Sequence, residues 1–144
     1  MSAATVASLV FFVFSLIAAA AVEILGSLLR KFAEEAGINQ WVFAMVPALF
    51  AMLFALLVYQ DAQRKIRRLG EFVSRGILVM LLTWLSFAVL TSWIWCPPGD
   101  FGSCLQNAVI VIGWIGGGPM LFVALGAGVL TGVLIFRRPK PPIQ

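Results

Sequence analysis

The apolar residues of this chain neither alternate nor form narrow stripes. They run on, broken by short clusters of charge, into four long stretches: Met1 to Leu29 interrupted only by Glu23, then Ala36 to Gln60, Gly76 to Gly99 and Phe101 to Phe136. Each exceeds the roughly 20 residues with which a helix crosses about 30 Å of hydrocarbon. In that layer every backbone amide must be satisfied within the protein, and continuous apolar runs without strand-like alternation select helices over a barrel. The pattern predicts an all-α membrane protein, a compact bundle of four transmembrane helices over about 5–29, 41–60, 76–95 and 106–136. These form one domain, 1–136, followed by a short basic tail, 137–144.

The start of the fourth helix is left open by the pattern. Gly116, Gly117 and Gly118 precede Pro119, which fits a helix kinked or broken near 116–119, or a loop or re-entrant segment followed by a helix starting at Pro119. The first helix is expected to continue through Arg30, Lys31, Phe32, Ala33, Glu34 and Glu35 and to stop at Gly37. A cleaved signal peptide competes for the same segment, with Leu9 to Ile17 as apolar core and Ala19 to Ala21 as small-residue cleavage site. No Lys or Arg precedes it, which favours a retained helix.

Charge supplies the orientation. Arg64, Lys65, Arg67, Arg68 and Arg75 lie in the middle connection and Arg137, Arg138 and Lys140 in the tail, leaving only Arg30 and Lys31 on the other side. The excess predicts that both termini and the middle connection are cytoplasmic. Trp41, Trp93 and Trp95 then fall at the outer interface and Tyr59 at the inner one, where amphipathic rings partition well. Cys96 and Cys104 fall in the outer connection, where an oxidising compartment would pair them across Pro97, Pro98, Gly99 and Asp100. Within the basic connection Ile66, Leu69, Phe72 and Val73 have helix-like spacing, so an interfacial helix is expected there, its Arg64, Lys65, Arg67 and Arg68 facing lipid headgroups.

Composition narrows the chemistry. With 62% hydrophobic residues, 11% charged and a mean hydropathy of +1.03, a soluble domain is excluded. The net charge of +4 comes from residues between apolar runs, not from a folded basic face, so nucleic acid is not expected as a partner. The absence of histidine excludes imidazole-held haem and histidine-based metal or proton-relay sites. Two cysteines eight residues apart match neither a CxxC motif nor a four-ligand metal set. No catalytic triad or phosphate loop is possible, so no cofactor, no metal and no enzymatic activity are expected. The expected partners are the lipid bilayer and either a second copy of the chain or other membrane subunits.

Glu23 is the one ionisable residue inside a predicted span, about 10 Å from its end at 1.5 Å per residue. Intramembrane charge is expensive and commonly functional, and burial favours the neutral carboxyl, so a proton-binding role is physically available. Ser15, Ala19, Glu23 and Ser27 share one row at four-residue spacing, with Gly26 adjacent, a face another helix can approach closely. A purely structural Glu23, hydrogen-bonded to a neighbouring helix or reaching interfacial water, is the alternative. Ala124, Gly128 and Gly132, with Gly113 and Gly117 before them, offer further small-residue faces for packing within or between protomers.

The run Glu23-Ile24-Leu25-Gly26-Ser27-Leu28-Leu29-Arg30-Lys31-Phe32 resembles the first helix of small multidrug resistance transporters. In that family an intramembrane Glu, a Gly three residues later and a Lys at the helix end recur together. Glu23, Gly26 and Lys31 are the matching positions, and Trp41 sits where the family often has an aromatic substrate-facing residue. The resemblance implies a four-helix protomer that dimerises and exchanges protons for cationic substrates on the Glu. It is confined to this region: in the third stretch Leu82-Thr83-Trp84-Leu85-Ser86 stands where the family has an Ala-Tyr-Ala-aromatic-Trp-Ser-Gly run. The expected function is a transporter or transporter component with Glu23, Ser27 and Trp41 at a proton or substrate site, in the cytoplasmic membrane of a bacterium or archaeon. The alternative is a non-catalytic structural or assembly subunit of a larger membrane complex.

Overall fold

The computed structural model describes residues 2–25, 40–60, 69–97 and 99–136; the side chains of 23–25, 40–44, 69 and 136 lie outside the description. Four helices follow one another: α1 (Ala3–Leu25), α2 (Gln40–Val58), α3 (Leu69–Trp95) and α4 (Phe101–Phe136), with no strand among the described residues. Three of them hold segments long and apolar enough to cross a membrane: Ala3–Val22, Gly70–Trp95 and Phe101–Ile135. The apolar part described for α2, Met45–Val58, is shorter.

Two boundaries differ from the sequence pattern. α3 starts at Leu69, so Leu69, Phe72 and Val73 extend that helix instead of belonging to a separate interfacial one. Glu71 stands in its first turn, where a negative charge suits the helix dipole, and Phe72 is buried in the core, so both electrostatics and packing support the extension. α4 starts at Phe101 rather than near Gln106 and runs unbroken through Gly116, Gly117, Gly118 and Pro119. Its first turn is anchored by the Cys104 amide donating to the Asp100 carbonyl at 3.1 Å, after a turn in which Gly99 adopts φ 112°. Pro119 removes one helix hydrogen bond but the many on either side carry the helix through it. The expected continuation of α1 to Gly37, including Gly26, Ser27 and Lys31, lies outside the described residues, as do Arg64, Lys65, Arg67, Arg68 and the tail 137–144.

α1 packs on α2 and α4, and α3 packs on α2 and α4, so the helices form a ring in chain order. Consecutive helices run in opposite directions. At one end meet Phe11 near the start of α1, Tyr59 just after α2, Phe72 near the start of α3 and Ala127 in the last third of α4, all within one core cluster. At that Tyr59 end the Phe11 and Tyr59 rings lie 5.8 Å apart and the Tyr59 and Phe72 rings 6.0 Å. The Tyr59 hydroxyl donates to the Phe72 carbonyl at 2.7 Å, and the Arg75 guanidinium donates to the Val58 carbonyl at 2.6 Å. The second bond puts a cation on the last carbonyls of α2, the negative end of its dipole, and ties α2 to α3.

Close approach of α3 and α4 depends on two glycines. A Cβ on Gly76 would lie 2.6 Å from the Ala124 carbonyl oxygen, and one on Gly128 would lie 3.2 Å from both the Phe72 carbonyl oxygen and the Val73 Cα. Backbones at this separation gain dispersion contacts that larger residues would prevent, which is how helices associate where surrounding lipid is as apolar as their side chains. Leu9, Val13, Ile17, Leu53, Leu57, Leu81, Leu85, Leu121 and Phe122 point outward, giving the bundle an apolar exterior suited to lipid and costly in water.

Candidate functional site

Away from the Tyr59 end the helices separate around a cavity of about 320 Å³. α1 contributes Ser15, Ala18, Ala19 and Val22, whose spacing of three and four residues places them on one face. α2 contributes Pro47. The inner face of α3 lines it from Met80 to Trp95, and α4 from Asn107 to Val123. Small residues on α1 and prolines on α2 and α4 explain the space: none of these fills the gap as a Leu or Phe at the same position would. Pro47 and Pro119 also lack an amide, so neither donates to the carbonyl four residues before it.

The floor is sealed by the core, since Met80 and Val123 belong to both the cavity wall and the buried cluster. Ser15 is at this level, beside Phe14, whose ring lies 6.1 Å from that of Phe122. At the opposite end Cys96 and Cys104 line the cavity, brought to disulfide distance with Cα atoms 6.1 Å apart, together with Trp95 and the exposed Asn107. The expected pairing of the two cysteines is thus met in geometry, and the bridge closes the short turn between α3 and α4.

Polar groups on the wall differ in what they have left to offer. The Thr83 hydroxyl donates to the Val79 carbonyl at 2.8 Å, Thr91 to Phe87 and Ala88 at 3.0 and 2.9 Å, and Ser92 to Ala88 at 2.8 Å. Each of these satisfies its hydrogen on its own helix. Ser15 is only 4% exposed and its Oγ has no hydrogen-bond partner. None of the described lining residues is charged. A second, shallower cleft of about 240 Å³ lies between α3 and α4, where Trp84 packs 3.3 Å from the position a Cβ on Gly113 would take and keeps its indole nitrogen buried and unpaired.

Of the residues singled out in the sequence, Glu23 falls in α1 directly after the cavity-lining Val22, and Trp41 falls in the first turn of α2; the side chains of both lie outside the description. Ser27 and Gly26 lie beyond the described part of α1. Ala124 and Gly128 stand at the α3–α4 contact, and Gly132 is buried. Sequence reasoning missed Ser15 as a lone polar group, having read it only as a small residue in the row of Glu23, and missed Pro47 altogether. The signal for Pro47 was a proline in the middle of an apolar run. No protein-family model, curated protein or solved structure matches the chain.

Proposed function

We propose that the chain is a small multi-pass protein of a bacterial or archaeal cytoplasmic membrane that acts as a transporter or transporter component, with the cavity as its ligand site and Glu23 as its proton or cation site. The observation that carries this reading is a cavity walled by all four helices, sealed at one end by the core and holding a buried hydroxyl without a partner. Its volume falls at the lower end of the roughly 300–1,000 Å³ of small-molecule sites. Glu23 follows the cavity residue Val22 in α1, and the resemblance of its surroundings to small multidrug resistance transporters points to proton exchange at that carboxyl.

The orientation that goes with this reading puts the Tyr59 end in the cytoplasm. Eight of the ten Lys and Arg belong to that end by sequence, in the connection of α2 to α3 and after α4, and the paired cysteines belong to the other. The test is uptake into vesicles reconstituted with the full chain across a pH gradient. Glu23→Gln is expected to abolish pH-driven uptake while leaving the helical content unchanged, and full transport by the variant over a range of pH would sink the coupling role.

The second reading, a structural or assembly subunit of a larger membrane complex, is favoured by the outer face of α4. Trp114 is 86% exposed there, and nothing lies within 4 Å of the Cβ position of Gly118, one turn further on. Stoichiometric unrelated subunits retained through mild-detergent purification would move this reading ahead.

A further inference from the structure

We propose that the cavity holds the alkyl chain of a single-chain amphiphile, a lysolipid or a free fatty acid, lying along the helix axes with its polar head at Asn107 and its chain end against Met80 and Val123. The proposal rests on the reading of the cavity as a ligand site and names the class of ligand, independently of Glu23.

Depth, width and the mouth define the class. On α3 the lining runs from Met80 at the floor to Cys96 at the mouth, sixteen residues apart, so the cavity is about 24 Å long at 1.5 Å per residue. Cys96 directly follows Trp95, where the apolar span of α3 ends, so the mouth stands at the level of lipid head groups and the floor among their chains. A ligand filling this space meets polar surroundings at one end only.

The width admits one chain. A volume of about 320 Å³ spread over about 24 Å leaves an average section of about 13 Å². A hydrocarbon chain whose carbons keep contacts at about 4 Å fills about the same section. Left empty, the cavity forfeits dispersion contacts on its lining, which an inserted chain restores. A two-chain lipid must leave its second chain outside. At the mouth Asn107 is exposed, so its amide is within reach of a ligand's head and offers a donor and an acceptor together.

The experiment is photo-crosslinking of the full chain, purified in digitonin so that no alkyl detergent competes. The probes are palmitoyl lysophosphatidylcholine and palmitate, each carrying a diazirine at the chain end or next to the head, and the labelled residues are mapped by mass spectrometry. Chain-end probes are expected to label Met80 and Val123, and head-proximal probes Trp95 and Asn107. Retention of either probe ahead of dipalmitoyl phosphatidylcholine bears out the class, and the tighter of the two identifies the head group. Asn107→Leu should weaken retention about 3- to 10-fold, the worth of one hydrogen bond, without moving the chain-end label. Ala19→Phe, which fills the cavity, and Ala108→Phe, which narrows its mouth, should each remove the floor label, with circular dichroism confirming that the bundle persists. The proposal is overturned by labelling of the outward-facing Leu85 and Phe122 as strongly as of Met80 and Val123, by reversal of the two label positions, by equal competition from the two-chain lipid, or by a floor label that survives both Phe variants. The Glu23→Gln uptake experiment separates it from the transport reading. If the chain maps to the cavity but uptake ignores Glu23, the coupling role fails and the ligand class stands; if uptake depends on Glu23 and no probe labels the floor, the reverse holds.

Discussion

Tyr59 and Thr131 are both wholly buried and both carry a hydroxyl, yet only one of the two is bonded. The Tyr59 hydroxyl donates to the Phe72 carbonyl across the α2–α3 contact, and its ring sits between those of Phe11 and Phe72. The Thr131 oxygen has no partner. Removing the two hydroxyls should therefore have opposite effects. Tyr59→Phe is expected to lower stability by about 1 kcal/mol, the net worth of a hydrogen bond, whereas Thr131→Val should leave stability unchanged or raise it, because an unsatisfied oxygen goes at nearly constant volume. Thermal unfolding of the purified protein in one detergent reads both signs. Neither residue type announces this difference in the sequence: what distinguishes the hydroxyls is the neighbouring helix, not the residues beside them in the chain.

Among the elements, α4 has the most glycine, and its glycines are not equivalent. Gly128 faces α3 with backbone atoms 3.2 Å from where a Cβ would stand, while Gly117, three turns earlier, has nothing within 4 Å. Gly128→Leu must push α3 and α4 apart and is expected to lower stability by at least about 1–3 kcal/mol, as for other overpacked interiors. Gly117→Leu, whose side chain would enter the open cleft beside Trp84, should cost less than Gly128→Leu. Equal losses at both positions, measured by the same unfolding assay, would show that the cleft beside Trp84 is filled instead of open. The sequence carried both glycines as members of small-residue faces, since spacing reports which residues share a face but not which face meets a neighbour. The same limit applies to Pro119. Its neighbours Gly116, Gly117 and Gly118 allowed a break, and only the continuity of the flanking helix and its packing on α3 decided for an unbroken α4.

Across the whole molecule the two ends of the bundle differ. The Tyr59 end is filled by aromatic rings and locked by the bonds from Tyr59 and Arg75; the other end is open around the cavity and bridged by Cys96 and Cys104. The aromatic contacts and the Tyr59 and Arg75 bonds thus lie at one end of the bundle and the open space at the other. If the open end faces an oxidising compartment, protein isolated from native membranes without reductant should take up no alkylating reagent, and should take up two equivalents after reduction. Two free thiols before reduction would place that end in a reducing compartment and reverse the proposed orientation.

The length and continuity of the apolar runs determined the class of this protein by themselves: four helices, three of them holding segments long and apolar enough to cross a membrane, follow from the need to satisfy every backbone amide without water. The pairing of Cys96 and Cys104 was likewise legible, because both fall in one connection on the side with few Lys and Arg, and the structure brings them to disulfide distance. The cavity was not legible. It arises where Ser15 and Ala19 on α1, Pro47 on α2, Thr83 and Ser92 on α3 and Pro119 on α4 converge from distant parts of the chain. In chains this apolar, residues facing lipid and residues facing the interior are chemically alike, so the pattern that marks a buried face in a soluble protein is missing. Only the ring order of the helices and their antiparallel register decided which small residues close a contact and which leave a space.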